Sequence, residues 1–277
     1  MKINYSCVVD KQEKLKKQGW LWLNSLIKSG GINPDNIWMH FVDGVDAGFI
    51  EKCAALGANI KITEPFGDKK YCNKIAQMSN KKLKESDIII LMDTDMIMLE
   101  NFEHLLTDID YISAKIVDLE NPPIEIIDAV FKLAGLKKVL PDYFTGYKAA
   151  PTYGANFNGG LYIIPAKYYD IIESGWQKWA NWLLKNGKPL YNISKEAHID
   201  QISFCMAVHE NNLDIKYLDP RYNYPLPFDY GINEKLYVLH YHDKIDGNFS
   251  SLTPDFEPNE NIKKAVDKAN KLINSLK

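Results

Sequence analysis

Several features that are scarce or missing narrow the class of this 277-residue chain. No apolar run approaches the roughly 20 residues that a membrane-spanning helix needs. The N-terminal segment MKINYSCVVD becomes polar too early for a signal peptide. The four cysteines form no CxxC pair, which argues against a zinc knuckle or a disulfide framework and fits a reducing compartment. These absences lead us to expect a cytoplasmic enzyme.

An excess of positive charge is also missing. The formal net charge is −3 and the pI is about 6.1, without a basic stripe, so we expect no nucleic-acid partner. The hydrophobic fraction of 46% and the charged fraction of 25% are ordinary for a globular protein. Because the chain shows no internal repeat and no linker, we predict a single domain over residues 1–277.

The first third of the chain alternates strand and helix patterns. Strands are predicted at residues 3–9, 36–42, 58–63 and 87–92, separated by helical stretches at 15–26, 47–56 and 70–83. The later pattern is less regular. It predicts strands at 111–119, 160–164 and 236–241, helices at 122–136, 168–184, 198–209 and about 260–276, and irregular segments at 137–153 and 221–230. Such alternation predicts an α/β fold, Rossmann-like, with a mixed but mostly parallel sheet flanked by helices.

Asp93, Thr94 and Asp95 directly follow the apolar run IIILM. In an extended chain alternate side chains share a side, so the carboxylates of Asp93 and Asp95 should converge. Their repulsion would be relieved by a hard divalent cation, Mn²⁺ or Mg²⁺. Such an ion could hold a diphosphate and neutralise its charge as it departs. The alternative is a pair of solvated carboxylates that cap a turn.

Two further segments combine polar groups with a permissive backbone or a helix start. Asn158, Gly159 and Gly160 open a predicted strand and offer an amide beside two residues that lack side chains, so that a ligand can approach closely. The alternative is a glycine bulge entering the strand. Asp200 and Gln201 begin a predicted helix, where the helix dipole favours an acidic residue whatever its function.

The run IIILMDTDMIM at residues 88–98 resembles the DxD segment of GT-A glycosyltransferases. Three later segments resemble, in the same order, motifs of glycosyltransferase family 8, the glycogenin-like and bacterial galactosyltransferase-like enzymes. They are F-N-G-G-L at 157–161, D-Q at 200–201 and H-Y at 240–241. The resemblance implies the GT-A fold, a nucleotide-diphosphate sugar donor (most simply a UDP-sugar) and a saccharide or lipid-linked glycan acceptor.

The same resemblance implies a metal site. Asp93, Asp95 and His240 would bind Mn²⁺ or Mg²⁺, with His242 as the alternative to His240. Both histidines alternate on a predicted strand and so could share a face.

The resemblance also implies a sugar site. The segment from Asn158 through Gly159 to Gly160 would hold donor-sugar hydroxyls, and Asp200 and Gln201 would lie beneath the anomeric carbon. If configuration is retained, the Gln201 carbonyl would stabilise oxocarbenium character while Asp200 orients the sugar. If it is inverted, Asp200 would be the general base.

Four residues are assigned to the nucleotide on weaker grounds, by their position in the chain or by likeness to the family. Asp10, which ends the first strand, would contact the base or ribose, and Asn73 and Lys74 resemble a region with a nucleotide-contacting lysine. Lys244 would meet the leaving diphosphate. Here the chain departs from the family segment H-(F/Y)-x-G-x-x-K-P-W, because the glycine is missing, the lysine is displaced and no Pro–Trp follows.

Other functions remain open on the sequence. A haloacid-dehalogenase-type phosphatase also places D-x-D after an apolar strand, although normally near the N-terminus. A sugar-nucleotide-forming nucleotidyltransferase would need a Gly-rich loop after the first strand, which is missing. A non-catalytic sugar- or nucleotide-binding relic of the fold is a third possibility.

The lysines of the C-terminal helix could bring the protein to an anionic membrane surface, or the helix could simply pack against the domain.

Overall fold

A computed structural model describes residues 1–107 and 109–277 of the chain, and this part is an α/β protein, as predicted. The strands are β1 (Ile3–Val9), β2 (Ile37–Val42), β3 (Asn59–Thr63), β4 (Ile88–Met92), β5 (Met96–Met98), β6 (Ile112–Ile116), β7 (Asp142–Phe144), β8 (Pro151–Tyr153), β9 (Phe157–Pro165), β10 (Ile215–Tyr217), β11 (Tyr224–Pro225) and β12 (Val238–His240). The α-helices are α1 (Glu13–Lys28), α2 (Ala47–Ala54), α3 (Ile124–Ala134), α4 (Tyr169–Asn186), α5 (Lys188–Tyr191), α6 (Ile199–Glu210) and α7 (Glu260–Asn274).

The main sheet has seven strands in the order β10-β6-β9-β4-β1-β2-β3. β1 pairs with β2 in parallel, β6 pairs with β10 in parallel, and β9 runs antiparallel to β6. Every residue of β4 and β6 is buried, which is expected of strands that helices cover on both faces. The predicted mixed, mostly parallel sheet flanked by helices is therefore confirmed.

Several short elements differ from the predictions. Residues 137–153, predicted as a loop, contain the antiparallel pair β7 and β8, and the three-residue strands β5 and β10 were not predicted. The segment predicted as one helix at 70–83 forms two 3₁₀ helices, Tyr71–Ser79 and Lys81–Glu85. Asn80 lies between them with its side chain accepting the amide of Lys82, and such local side-chain bonding competes with a continuous helix.

The chain divides into two compact units. The prediction of a single domain stays a prediction. The first unit comprises Met1, Thr63–Ile90 and Ile109–Leu218. Its core contains the stacked rings of Tyr162 and Phe204, with centroids 4.3 Å apart, and the buried Trp176 against Phe204.

The second unit comprises Lys2–Ile62, Leu91–Asp108 and Asp219–Lys277. A second small sheet, β11-β12-β5, lies in this unit. The predicted amphipathic C-terminal helix is present as α7, whose buried face joins the core cluster through Ile262, Val266, Ala269 and Ile273. Among the described residues, none of the helices combines the length and the apolar character needed to cross a membrane.

Candidate active site

In the second unit, a carboxylate and two imidazoles converge. One ligand atom from each of Asp95, His240 and His242 lies within 4.8 Å of the others. Nε2 of His240 is 3.3 Å from Oδ1 of Asp95, and the two imidazole rings stack with centroids 3.7 Å apart and planes 23° apart. The sequence treated His240 and His242 as alternatives, whereas the structure brings both to Asp95.

The small sheet positions this group. β12 runs antiparallel to β5 with His240 opposite Met96, so the residue before Met96, Asp95, lies next to the end of β12. The amide of Tyr241 donates to the carbonyl oxygen of Asp95 at 3.0 Å and fixes the junction. β5, which was not predicted from the sequence, thus places Asp95 beside His240 and His242.

Asn223 orients His240 and was not found from the sequence. Its Oδ1 lies 2.9 Å from Nδ1 of His240, and Asn223 is completely buried. The amide oxygen can only accept, so Nδ1 carries a proton and Nε2 is the ring nitrogen that faces Asp95. Residues around metal-binding histidines commonly fix the ring in this way. Asn223 precedes β11 in a proline-rich stretch, where no sequence pattern marks it.

His242 reaches the group through a turn. β12 ends at His240, and His242 has a φ of 53°, in the left-handed region that histidine adopts more readily than most side chains. The two rings do meet, but strand alternation is not the cause, because the backbone turns after His240.

The alternation argument for Asp93 and Asp95 assumed an extended chain, whereas the structure has a turn at residues 94 and 95. β4 ends at Met92 and β5 begins at Met96, so residues 93–95 form the connection between strands of two sheets. Asp93 lies outside the group formed by Asp95 and the two histidines, and its role as a ligand stays a prediction. Asp93 does lie close enough to Cys7 to help burial raise the pKa of that thiol.

The donor chemistry fits a divalent transition ion. Mg²⁺ prefers oxygen ligands almost exclusively, whereas imidazole nitrogen is well suited to softer divalent ions. One carboxylate with two imidazoles can therefore hold a divalent transition ion, and this set suits Mg²⁺ less well.

In the first unit, four predicted site residues meet. Nζ of Lys74 lies 3.1 Å from Oδ2 of Asp200 and donates to the carbonyl oxygen of Gly159 at 3.2 Å. A Cβ at Gly159 would lie only 3.0 Å from Nζ of Lys74 and 3.3 Å from Cγ of Gln201, so a side chain at this position would crowd the contact. Lys74, Gly159, Asp200 and Gln201 thus form one cluster.

Asp200 has a buried oxygen that still needs a donor. Its side chain is 4% exposed, and within the described part of the chain Oδ1 has no hydrogen-bond partner. A buried, unsatisfied polar atom costs about 1–3 kcal/mol, so it marks a place where a ligand or water can donate. The start of α6 is held firmly, since Nε1 of Trp176 donates to the carbonyl of Asp200 at 2.7 Å.

The segment that contains Asn158, Gly159 and Gly160 leaves the regular ladder. Ala114 pairs with Tyr162 and Ile116 pairs with Phe157, so four residues of β9 lie between these pairs where β6 has one. The bulge that the sequence left as an alternative is therefore present. It does not exclude a role in binding, because a bulge redirects the backbone groups beside it.

His198, which precedes α6, is another residue that sequence reasoning missed. Burial, assisted by the positive charges of Lys195 and Lys74, lowers the pKa of His198 to about 4. The imidazole is therefore neutral near pH 7.

The remaining predicted residues make local contacts. The buried Asn73 accepts the amide of Phe66 at 2.9 Å, and Asp10 accepts the amide of Lys11 at 2.6 Å. Lys244 pairs with Asp255 at 2.8 Å and with Asp243 at 3.2 Å. Their roles toward a nucleotide stay predictions.

Comparison with known proteins identifies the fold. No protein-family model matches the chain, and no curated protein sequence matches it. Solved structures do match. The galactosyltransferase LgtC in complex with donor and acceptor sugar analogs is 13% identical with a TM-score of 0.55, over 98% of this chain and 95% of that chain. Mouse xyloside xylosyltransferase 1 in its apo form is 15% identical with a TM-score of 0.53, over 87% of this chain and 98% of that chain. The glycosyltransferase GlyE of Streptococcus pneumoniae TIGR4 is 12% identical with a TM-score of 0.54, over 99% of this chain and 63% of that chain. The chain therefore has the GT-A glycosyltransferase fold, as the sequence motifs predicted.

Proposed function

We propose that this protein is a metal-dependent glycosyltransferase that moves a sugar from a nucleotide-diphosphate sugar, most simply a UDP-sugar, to a hydroxyl acceptor. The observation that carries the proposal is the convergence of Asp95, His240 and His242 directly after β4, in a chain with the GT-A fold. α/β proteins bind their ligands beyond the carboxyl ends of the central strands, and this group lies at such a position.

In this proposal the metal site binds an ion that stabilises the leaving diphosphate. Asp95, His240 and His242, with Asp93 as a further ligand, would hold Mn²⁺, which supplies positive charge to a departing diphosphate. Asn223 keeps His240 in the tautomer that can bind the ion. Asp10, Asn73 and Lys244 stay assigned to the nucleotide and its phosphates.

The sugar would be held in the first unit. Oδ1 of Asp200 would accept a hydroxyl hydrogen from the donor sugar, while Lys74 holds Oδ2 and the carbonyl of Gly159 in place. Asn158, Gly159 and Gly160 would frame the sugar, and Gln201 would present its carbonyl toward the anomeric carbon. Because Lys74 already engages Asp200, we favour an orienting role for this carboxylate, and hence a retaining reaction, over a role as general base.

The acceptor is proposed to be a saccharide or a lipid-linked glycan. α7 exposes Lys263, Lys264 and Lys271 on the face opposite its buried one. Basic residues near an anionic lipid surface contribute about 1 kcal/mol each, so this face supports a peripheral membrane contact of a cytoplasmic enzyme.

The test is a thermal-shift experiment with nucleoside diphosphates, with and without Mn²⁺. A ligand at 100 times its Kd stabilises the native state by about 2.7 kcal/mol, and we expect a rise in Tm of about 5 °C for UDP only when Mn²⁺ is present. Asp95→Ala should abolish the Mn²⁺-dependent part of the shift. The control is Asp267→Ala, which removes an exposed carboxylate of α7 in the same unit.

Turnover separates an enzyme from a binding relic. The wild type should hydrolyse its nucleotide-sugar donor slowly with Mn²⁺, and Asp95→Ala should not. Binding without any turnover would support the relic, and an Asp95→Ala variant that keeps the full Mn²⁺-dependent shift would overturn the metal site. A phosphoenzyme trapped with a fluoride mimic of phosphate would support the phosphatase instead.

A further inference from the structure

Lys115 and Asp118 form a buried ion pair in the first unit. Lys115 lies in β6 with its side chain 1% exposed, and its ammonium group donates to Oδ1 of Asp118, whose side chain is 7% exposed. Burial lowers the pKa of Lys115, while the charge of Asp118 acts in the opposite direction. A buried charge is tolerated when a partner and hydrogen bonds compensate it, so the two groups depend on each other.

The second oxygen of Asp118 reaches the candidate sugar site. Oδ2 of Asp118 accepts Nδ2 of Asn158 at 2.8 Å, and Oδ1 of Asn158 accepts the amide of Gly160 at 2.9 Å. A carboxylate can only accept, so Asp118 fixes which end of the Asn158 amide faces it. The amide is thereby oriented at both ends.

The ion pair lies where β6 and β9 change register. Lys115 is the residue between Ala114 and Ile116, the two positions whose pairing with β9 is out of step. The surplus residues of β9 include Gly159. Nζ of Lys74 donates to the carbonyl oxygen of Gly159 and also pairs with Asp200. A continuous series of polar contacts therefore leads from the buried lysine to the carboxylate proposed to bind the sugar.

We propose that Lys115 is a positioning residue for the donor sugar, acting through Asp118 and Asn158 to hold the β9 bulge in its binding geometry. Lys115 does not touch the substrate in this scheme. Its ammonium group keeps Asp118 an acceptor at a buried position, and that acceptor holds Asn158. The inference rests on the proposed function, because its effect is measured on a nucleotide-sugar donor.

The experiment compares Lys115→Met, which keeps the length of the side chain without its charge, with the double variant Lys115→Met/Asp118→Asn. Lys82→Met is the matched control, because Lys82 pairs with Glu85 at the same spacing in the same unit, with side chains 64% and 54% exposed. We expect Lys115→Met to raise the KM for the sugar donor about tenfold, because its partner carboxylate is left uncompensated. The Kd for UDP with Mn²⁺ should stay within about twofold, since those contacts are assigned to other residues.

The double variant should recover a KM within about threefold of wild type, because an asparagine at position 118 can still accept Nδ2 of Asn158 without a buried charge. If Lys115→Met does not fold, Lys115→Gln, whose amide still donates to Asp118, takes its place. A KM equal to wild type, a KM and UDP Kd that rise together, or a double variant as impaired as the single one would overturn the positioning role. A wild type that turns over no nucleotide sugar would instead overturn the proposed function.

Discussion

Gly159 shows at the level of one residue how closely the backbone approaches the candidate sugar site. An added methyl group would lie 3.0 Å from Nζ of Lys74, in a lysine held by two acceptors. We expect Gly159→Ala to lower donor turnover about tenfold, equivalent to about 1.4 kcal/mol, with little change in Tm. Gly247→Ala is the control, because no atom lies within 4 Å of its added Cβ. Equal turnover by the two variants would refute the close contact.

His40 makes stability sensitive to acid. It is completely buried on β2, with Nδ1 3.2 Å from the carbonyl of Cys7, and burial lowers its pKa from 6.5 to about 4. The unfolded chain therefore takes up this proton first, so stability is present above pH 6.5 and is lost as the pH falls toward 4.

The pKa shift of His40 corresponds to about 3 kcal/mol of unfolding free energy over that pH range. Urea unfolding at a series of pH values should show this slope, and His40→Asn should reduce it. Part of the slope should remain, because the pKa of His198 is lowered to the same region. An unchanged slope in His40→Asn would contradict the assignment.

The sequence motifs could predict which polar residues belong to the site better than how those residues meet. Lys74, Gly159 and Asp200 were predicted and do cluster, but the ion pair between Lys74 and Asp200 joins residues 126 positions apart and has no local pattern. Lys115, Asp118 and Asn223 were missed, because a buried polar residue is identified by its partners.

At the level of elements, α7 contributes mainly through its buried face. Ile273 is 4% exposed and lies in the core cluster of the second unit. We expect Ile273→Ala to lower the free energy of unfolding by about 2–5 kcal/mol, whereas Lys264→Ala on the exposed face should change it by less than about 0.5 kcal/mol. Equilibrium urea denaturation measures both. Similar losses in the two variants would mean that α7 does not pack as described.

Long elements with a clear apolar period could be predicted, and short ones could not. β1, β4, α1 and α7 follow from their own residues, because burial of one face or of the whole strand requires a matching pattern. β5 and β10 have three residues each, too few to show a period, and exist because partner strands supply their hydrogen bonds.

For the whole molecule, the four cysteines report on global opening. Cys7, Cys53, Cys72 and Cys205 are all buried, burial raises the pKa of Cys53 to about 12, and it raises the pKa of the other three as well. We expect no thiol to react quickly with Ellman's reagent in the native protein, and all four to react in guanidinium chloride. Fast labelling of one thiol in the native state would reveal local opening at that residue.

The fold as a whole was accessible from the sequence because the alternation of strands and helices restricts the architecture to a few layered arrangements. The order of the strands was not, since it depends on pairings between distant segments such as β9 beside β4. The same limit applies to the candidate metal group, because the β5–β12 pairing brings together residues 95, 240 and 242.

The shift of register in β9 has a consequence for attempts to stabilise the protein. Replacing Gly159 or Gly160 by valine would make the stretch a better strand by intrinsic propensity, and would favour a straight ladder with β6. A selection for heat resistance alone would therefore tend to remove the irregularity on which donor binding is proposed to depend. Thermal stability would rise while catalytic activity falls.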